Sequence, residues 1–345
     1  MVLKYSLGVD VASEKFDVNL STIDSMQNVK VVASHKFSNT QKGFLALHHW
    51  LQKKWKTRQE PMVVTMEATG IYYEMLALFL FKQGYTVAVV LPNKAKKYMQ
   101  SCGVKSKNDK IDAKGLARMG AEQSLAPWEP MIEFYYELRE LTRQHESLQG
   151  HRTVVTNQLH ATSRGMYPNM FVTNQLKSMI AAIDEQIKAT EVAISKLIAS
   201  NPQVQEKARR ITKIKGLGLL TVAVLIAETN GFTLFENSRQ LVSYAGYDVI
   251  ENQSGNRTGK TRISKKGNSR LRRALHMPAL SVVRWRQAPF INLYERTLER
   301  HSIKMKSYVA VQKKLLVIIY ALWKSGRDFD TNYEHQRLEE IKKAA

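Results

Sequence analysis

Two aspartates stand three residues apart in "KSKNDKIDAKGLAR", a stretch otherwise crowded with lysine. On a helix Asp109 and Asp112 share a face, and two like charges there repel unless something positive sits between them. Lys107, Lys110 and Lys114 can supply that charge, and so can a divalent metal. Two more acids have surroundings a metal could use. Asp10 lies in "LGVDVAS", where strand alternation sends Leu7, Val9 and Val11 to one face and Gly8 and Asp10 to the other. Glu67 closes "VVTMEATG", where a buried strand runs into a glycine-containing turn. Hard cations such as Mg2+ or Mn2+ take oxygen ligands, and two-metal sites for phosphoryl transfer hold ions roughly 3.5–4 Å apart between several carboxylates. Each acid also has a plainer reading: a solvated strand end or, for Asp109, a helix cap, because "DKID" resembles a capping motif. The nine histidines pair closely only at His48-His49, and Cys102 is the single cysteine, so no rival metal set competes. A nucleophile candidate lies far downstream. Ser254, in the polar loop "NQSGNRTGK", has an accessible position and nearby cations to hold a phosphate, although Ser-Gly is also an ordinary turn sequence.

These residues need elements to position them. Within residues 1–128, "YSLGVDVAS", "KFDVNLSTI" and "KVVASHKFS" follow one another as the strands of a meander would. A helix over "TQKGFLALHHWLQKKW", a strand over "MVVTMEA", a helix over "IYYEMLALFLFKQ" and a strand over "YTVAVVLP" complete a mixed α/β sheet. That order predicts a ribonuclease-H-like domain, in which the first strand, the fourth strand and a late helix converge. Over residues 129–202, Phe134, Leu138, Leu141, His145, Leu148, Arg152, Val155 and Leu159 step by fours and threes, and Leu176 to Leu197 repeat the pattern after "GMYPNMF". The spacing predicts a coiled-coil helical hairpin, serving as a spacer or as an oligomerisation arm. Residues 203–330 read as a mostly helical domain, and residues 331–345 as a charged tail. In "ITKIKGLGLL" the turn at Gly216 and Gly218 can aim backbone N–H groups at a phosphate, or can be plain structure; Lys215 adds a cation beside it.

The charge balance narrows the partner. Across 345 residues, 52 lysines and arginines face 30 acids, a net charge of +22, which is a footprint for polyanions and makes their binding salt-dependent. The charge concentrates in "RTGKTRISKKGNSRLRR", residues 257–273, where Arg257, Lys260, Arg262, Lys265, Lys266, Arg270, Arg272 and Arg273 occur with no acid. A solvated face normally mixes both signs, so these eight residues, with Lys215 and Lys107, are the candidate nucleic-acid contacts. No apolar run reaches membrane-spanning length, and the N-terminus enters a strand pattern rather than a leader. A cytoplasmic, nucleoid-associated protein with no membrane partner is expected.

Taken in order, "GVDVASEKFDV", "MEATGIYYE", "KSKNDKIDAKGLA", "ITKIKGLG", "FENSRQLVSYAGY" and "QSGNRTGKTRISKKGNSRLRRALHMPA" resemble the transposases of the insertion-sequence 110 family, bacterial mobile-element recombinases related to the pilin-gene invertase. The resemblance covers about residues 3–328. It implies a RuvC-like domain with an Asp-Glu-Asp-Asp set that holds Mg2+ or Mn2+, a coiled-coil spacer and a C-terminal transposase domain with a catalytic serine. Matched by motif, the set is Asp10, Glu67, Asp109 and Asp112, and the serine is Ser254. The resemblance also implies donor and target DNA, a structured bridge RNA as guide, and a dimer or tetramer in which carboxylates and serine meet across subunits. Lys215 stands where the family pattern has proline. Two rivals stay open: a Holliday-junction-type nuclease in which the same acids activate water, and a non-catalytic nucleic-acid-binding scaffold.

Overall fold

The computed structural model describes residues 1–55, 59–103, 108–251, 253–254, 257–259, 261–330 and 332. Lys107 and Lys260 fall outside this set. The chain divides into two compact units, Met1–Pro130 and Met131–Ala345.

In the first unit, β1 (Val2–Val11), β2 (Lys15–Asp24) and β3 (Val29–Ser38) form the expected antiparallel meander. The chain continues through α1 (Gln41–Lys54), β4 (Met62–Glu67), α2 (Glu74–Lys82), β5 (Thr86–Val90), α3 (Pro92–Ser101) and α4 (Asp109–Glu122). Strands β4 and β5 run parallel to β1, giving one mixed sheet in the order β3-β2-β1-β4-β5. Period-two alternation gives the sheet two unlike faces. Leu7, Val9, Phe16, Val18, Leu20, Val64, Met66 and Val87 build an apolar core with Phe44, Leu47 and Leu51 of α1 and Leu76 and Leu80 of α2. The other face carries Ser6, Gly8, Asp10, Asp17, Asn19, Ser21 and Thr65, and α4 lies against it.

Small residues let α4 sit close. A Cβ added at Gly8 would overlap the Ala113 carbonyl oxygen and the Ala117 nitrogen, and one added at Gly120 would overlap Thr65 Oγ1 and Ser6 Oγ. The contacts run in opposite directions along the two elements: Ser6 lies under Gly120, and Gly8 under Ala117 and Ala113. The next residue on that face of β1 is Asp10, so the N-terminal turn of α4 arrives over it.

In the second unit, α5 (Glu133–Ser163) and α6 (Met170–Ala199) pack as an antiparallel helical pair. Two polar contacts set their register: Arg152 Nε donates to Asp184 Oδ1 at 2.5 Å, and His145 Nε2 lies 3.1 Å from Glu191 Oε1. Each contact is seven residues from the other on both helices. Further on come α7 (Pro202–Ile211), α8 (Leu219–Glu228), α9 (Ser238–Tyr244), α10 (Ser269–Ala274), α11 (His276–Arg284), α12 (Phe290–His301) and α13 (Lys304–Ser325). Val222, Ile226, Phe232, Leu241, Leu271, Val282, Leu315 and Ile319 belong to their shared core. Among the described residues no helix is long and apolar enough to cross a membrane.

One buried carboxylate binds this unit together. Glu228, at the end of α8, accepts 2.7 and 3.0 Å hydrogen bonds from the Arg143 guanidinium of α5 and a 2.7 Å bond from Asn268 Nδ2, the N-cap of α10. Tyr244 Oη of α9 donates to its backbone oxygen. Burial pushes the Glu228 carboxyl up, but the bonds from Arg143 and Asn268 outweigh it and hold the group below its ordinary value. Glu228→Ala removes the acceptor shared by Arg143 and the partly buried Asn268 amide and is expected to cost the unit ~2 kcal/mol, read as a fall of roughly 4–8 °C in thermal melting.

Candidate active site

Asp10, Asp17 and Glu67 stand on or next to one rung of the sheet. Asp10 of β1 pairs in register with Asp17 of β2, and Asp17 pairs with Lys36 of β3. On the other side of Asp10, Val9 pairs with Met66, so Glu67 stands one step further along the parallel strand. Asp109 and Asp112 come from the first turn of α4. Asp109 does not cap that helix. The cap is Asn108, whose Oδ1 accepts from the Ile111 N–H at 2.9 Å, so the capping reading of Asp109 passes to its neighbour. Both aspartates occupy the helix's positive N-terminal end, where negative charge is favoured.

Electrostatics register the convergence. Partial burial, followed by the charges of Asp112, Asp109, Glu67 and Asp17, pushes the Asp10 carboxyl from 3.8 up to about 6. Asp10 therefore feels the charge of each of the other three expected acids. The donor set fits a hard divalent cation: oxygen ligands only, with the half-buried Asp10 under the negative charge of the others. Among the described residues no three acidic, histidine or cysteine side chains form a ready-made metal cage.

Asp17 was not among the expected site residues. Its side chain is 5 % exposed, and its Oδ2 lies 3.2 Å from Lys36 Nζ. The signal for it lies in "DVASEKFDV". The Ala12 N–H donates to the Lys15 carbonyl across the β1–β2 turn, and counting outward from that closure sets Asp10 opposite Asp17.

The serine belongs to the second unit. Two short hairpins carry the segment: β6 (Val249–Ile250) pairs with β9 (Arg262–Ile263), and β7 (Gln253–Ser254) pairs with β8 (Arg257–Thr258). The backbone register sets Ser254 opposite Arg257. Arg262, Lys265 and Lys266 are exposed. The arginines that follow are partly engaged within the fold. Arg270 Nε donates to Glu146 Oε2 at 3.0 Å, Arg273 also pairs with Glu146, and Arg272 Nη1 donates to the Ala245 carbonyl at 2.8 Å. Their charge therefore anchors α10 to α5 and to the turn after α9, and less of it is available to a ligand than the sequence count suggests.

At the Lys215 turn, Gln287 holds the backbone from both sides: its Oε1 accepts from the Lys215 N–H at 3.3 Å, and its Nε2 donates to the Lys215 carbonyl at 2.5 Å. The Leu217 N–H is bonded to the Ile214 carbonyl. Gly216 is required by its positive φ of 96° and by close contact with Ser281. The Lys215 and Leu217 amides are thus occupied within the fold, while α8 starts after Gly218 with no side-chain cap and the Lys215 side chain is exposed.

Residues 7–168 match a family model described as a transposase, and residues 208–295 match the transposase IS116/IS110/IS902 family. The pilin gene-inverting proteins of Moraxella lacunata and Moraxella bovis are each 29% identical over 328 residues, covering 95% of this chain and 98% of theirs. A transposase for insertion sequence element IS1111A of Coxiella burnetii is 24% identical over 288 residues, 75% of this chain and 77% of its own. Among solved structures, Thermus thermophilus RuvC aligns with 36% of this chain and 99% of its own at 11% identity and a TM-score of 0.28, a likeness too slight to carry weight. The two family matches together span well over half of the chain and agree with relatives aligned along nearly its whole length: the protein belongs to the insertion-sequence 110 family of transposases, which are DNA-recombining enzymes.

Proposed function

We propose that the protein is an RNA-guided DNA recombinase that cuts and rejoins strands through a covalent phosphoserine. The observation that supports this best is the concentration of charge on Asp10 from Glu67, Asp109 and Asp112. Those four carboxylates would hold Mg2+ or Mn2+, which when bound neutralises and polarises the scissile phosphate. Ser254 Oγ attacks phosphorus as the P–O3′ bond breaks; the serine becomes esterified to the 5′ phosphate, and the departing 3′ oxygen takes up a proton. A free 3′ hydroxyl of another strand then attacks the phosphoserine and restores Ser254, so the bond energy is kept through the exchange. Arg257, Lys260 and Arg262 grip the phosphate. Lys265 and Lys266, with Lys107 and Lys215, follow the backbone of DNA or of a bridge RNA encoded beside the gene. The enzyme works as a dimer or tetramer, with the antiparallel helical pair of residues 133–199 as a coiled-coil spacer or arm.

The test is the adduct. Protein purified with its copurifying RNA is expected to form a denaturant-resistant protein–DNA link, and Ser254→Ala is expected to lose it by ~10³-fold or more. An adduct that survives Ser254→Ala removes the serine from the mechanism. Hydrolysed ends with no adduct in the wild type point instead to a water-using nuclease built on the same acids.

A further inference from the structure

Asp17 is a buried carboxylate to which the strand-exchange chemistry gives no task. It lies beneath α4 on the same rung as Asp10, where an apolar residue would pack without losing its hydration. Its partner Lys36 reaches in from the edge strand β3 with a side chain 46 % exposed. A pair with one half-exposed member adds little stability, so stability does not account for a charge buried here. Lys36 also feels more of the cluster than its direct partner. Its ammonium is held above its ordinary value chiefly by the bond to Asp17, and the charge of Asp109 contributes as well.

We propose that Lys36 is a built-in counter-charge for the carboxylate centre: Asp17, next to Asp10 on the rung, tethers the Lys36 ammonium at the rung's far end, and the tethered charge limits how tightly the centre binds its divalent ion. The inference rests on the reading of Asp10, Glu67, Asp109 and Asp112 as a metal site. Asp17 adds its own charge to the four carboxylates, and without compensation the acids repel one another in the empty site and over-bind a cation once it arrives. One fixed positive charge at the end of the rung moderates both effects. Lys36 is a positioning residue in this scheme and touches neither the ion nor the phosphate.

The test is Mn2+ binding to the purified full-length protein, followed by electron paramagnetic resonance, with circular dichroism melts to confirm folding. Lys36→Met is expected to tighten Mn2+ binding by about three- to tenfold, the scale of one solvent-damped charge at cross-strand distance. Asp17→Asn is expected to weaken it by a similar factor. The double variant, with the pair's net charge restored, is expected to bind like the wild type, as is Lys36→Arg. The opposite signs separate this role from a brace for β3, whose loss would loosen binding in both single variants. Unchanged or weaker binding in Lys36→Met overturns the counter-charge. The parent reading fails separately: if Asp10→Asn binds Mn2+ as the wild type does, the carboxylates are not the metal site.

Discussion

Asp10→Asn is expected to stop strand cleavage and, in the same metal-free protein, to raise the melting temperature. The two effects share a cause. In the fold Asp10 sits half-buried among Asp112, Asp109, Glu67 and Asp17, and its carboxyl is pushed from 3.8 to about 6. A carboxyl raised on folding is a liability once it ionises: the cost is absent below about pH 4, grows through the interval up to 6 and is full above it. The shift corresponds to at most ~3 kcal/mol, and because Asp10 is half-exposed, solvent screening reduces this to ~1–2 kcal/mol. The asparagine variant is therefore expected to melt roughly 3–8 °C higher than the wild type at pH 7.5 without metal, and equally near pH 4. Adding Mg2+ should raise the wild-type melt and leave the variant's nearly unmoved. Cleavage should fall by ~10³-fold or more, the scale on which one charge-stabilising group in a preorganised site contributes. Equal melts at pH 7.5, or an Mg2+ response retained by the variant, would show that Asp10 does not carry this charge.

Gly8→Ala is expected to disable the enzyme without touching a charged group. The added methyl would overlap main-chain atoms of Ala113 and Ala117, and backbone inside a helix cannot swing aside as a side chain can. Helix α4 has to lift or slide, carrying Asp109 and Asp112 away from Asp10. Misplacement by about an ångström costs on the order of 10²-fold in rate, and overpacking of this kind costs ~1–3 kcal/mol. The control lies on the same helix. The three atoms nearest to a Cβ at Gly115 all belong to the Met99 side chain, the closest at 3.0 Å, and methionine adapts readily, so Gly115→Ala should keep most activity. Cleavage assays and melts of the two variants side by side check the claim; a fully active Gly8→Ala protein would mean that the close seat of α4 does not set the site.

Much of this was legible because the chemistry and the strand pattern lie in the same few residues. "LGVDVAS" places Asp10 opposite an apolar face by alternation alone, and the structure keeps Leu7, Val9 and Val11 in the core. What escaped depends on distance along the chain or on weak patterning. Asp17 gains its meaning from a hairpin closure that pairs it with Asp10, a signal held in the turn spacing of "DVASEKFDV" and not in the character of the aspartate itself. Helix α3 was missed because Ala95 and Met99 are its only buried residues among lysines and polar groups, too short a stripe to register as periodicity. The run from 257 to 273 looks uniformly free for nucleic acid, yet Glu146, 124 residues before Arg270, takes up both Arg270 and Arg273. A local charge count cannot see a partner that folding brings from another helix.

The paired long helices of the second unit carry a safeguard against slipping. An apolar heptad stripe tolerates a shift of seven residues, since leucine and isoleucine then meet other leucines and isoleucines. The Arg152–Asp184 and His145–Glu191 contacts share that tolerance only by half, because a slip of seven keeps one acid–base pair and breaks the other. Slid one way, Arg152 would meet Glu191, but Asp184 would face Leu159 and His145 would face Ile198; slid the other way, His145 would meet Asp184, but Arg152 would face Lys177 and Glu191 would face Leu138. Either misalignment strands a charge or sets like against like. Two polar pairs thus favour the native frame, in which both are made, over either neighbouring one, in which a single pair survives, and so they bias the hairpin's length and the reach of its tip.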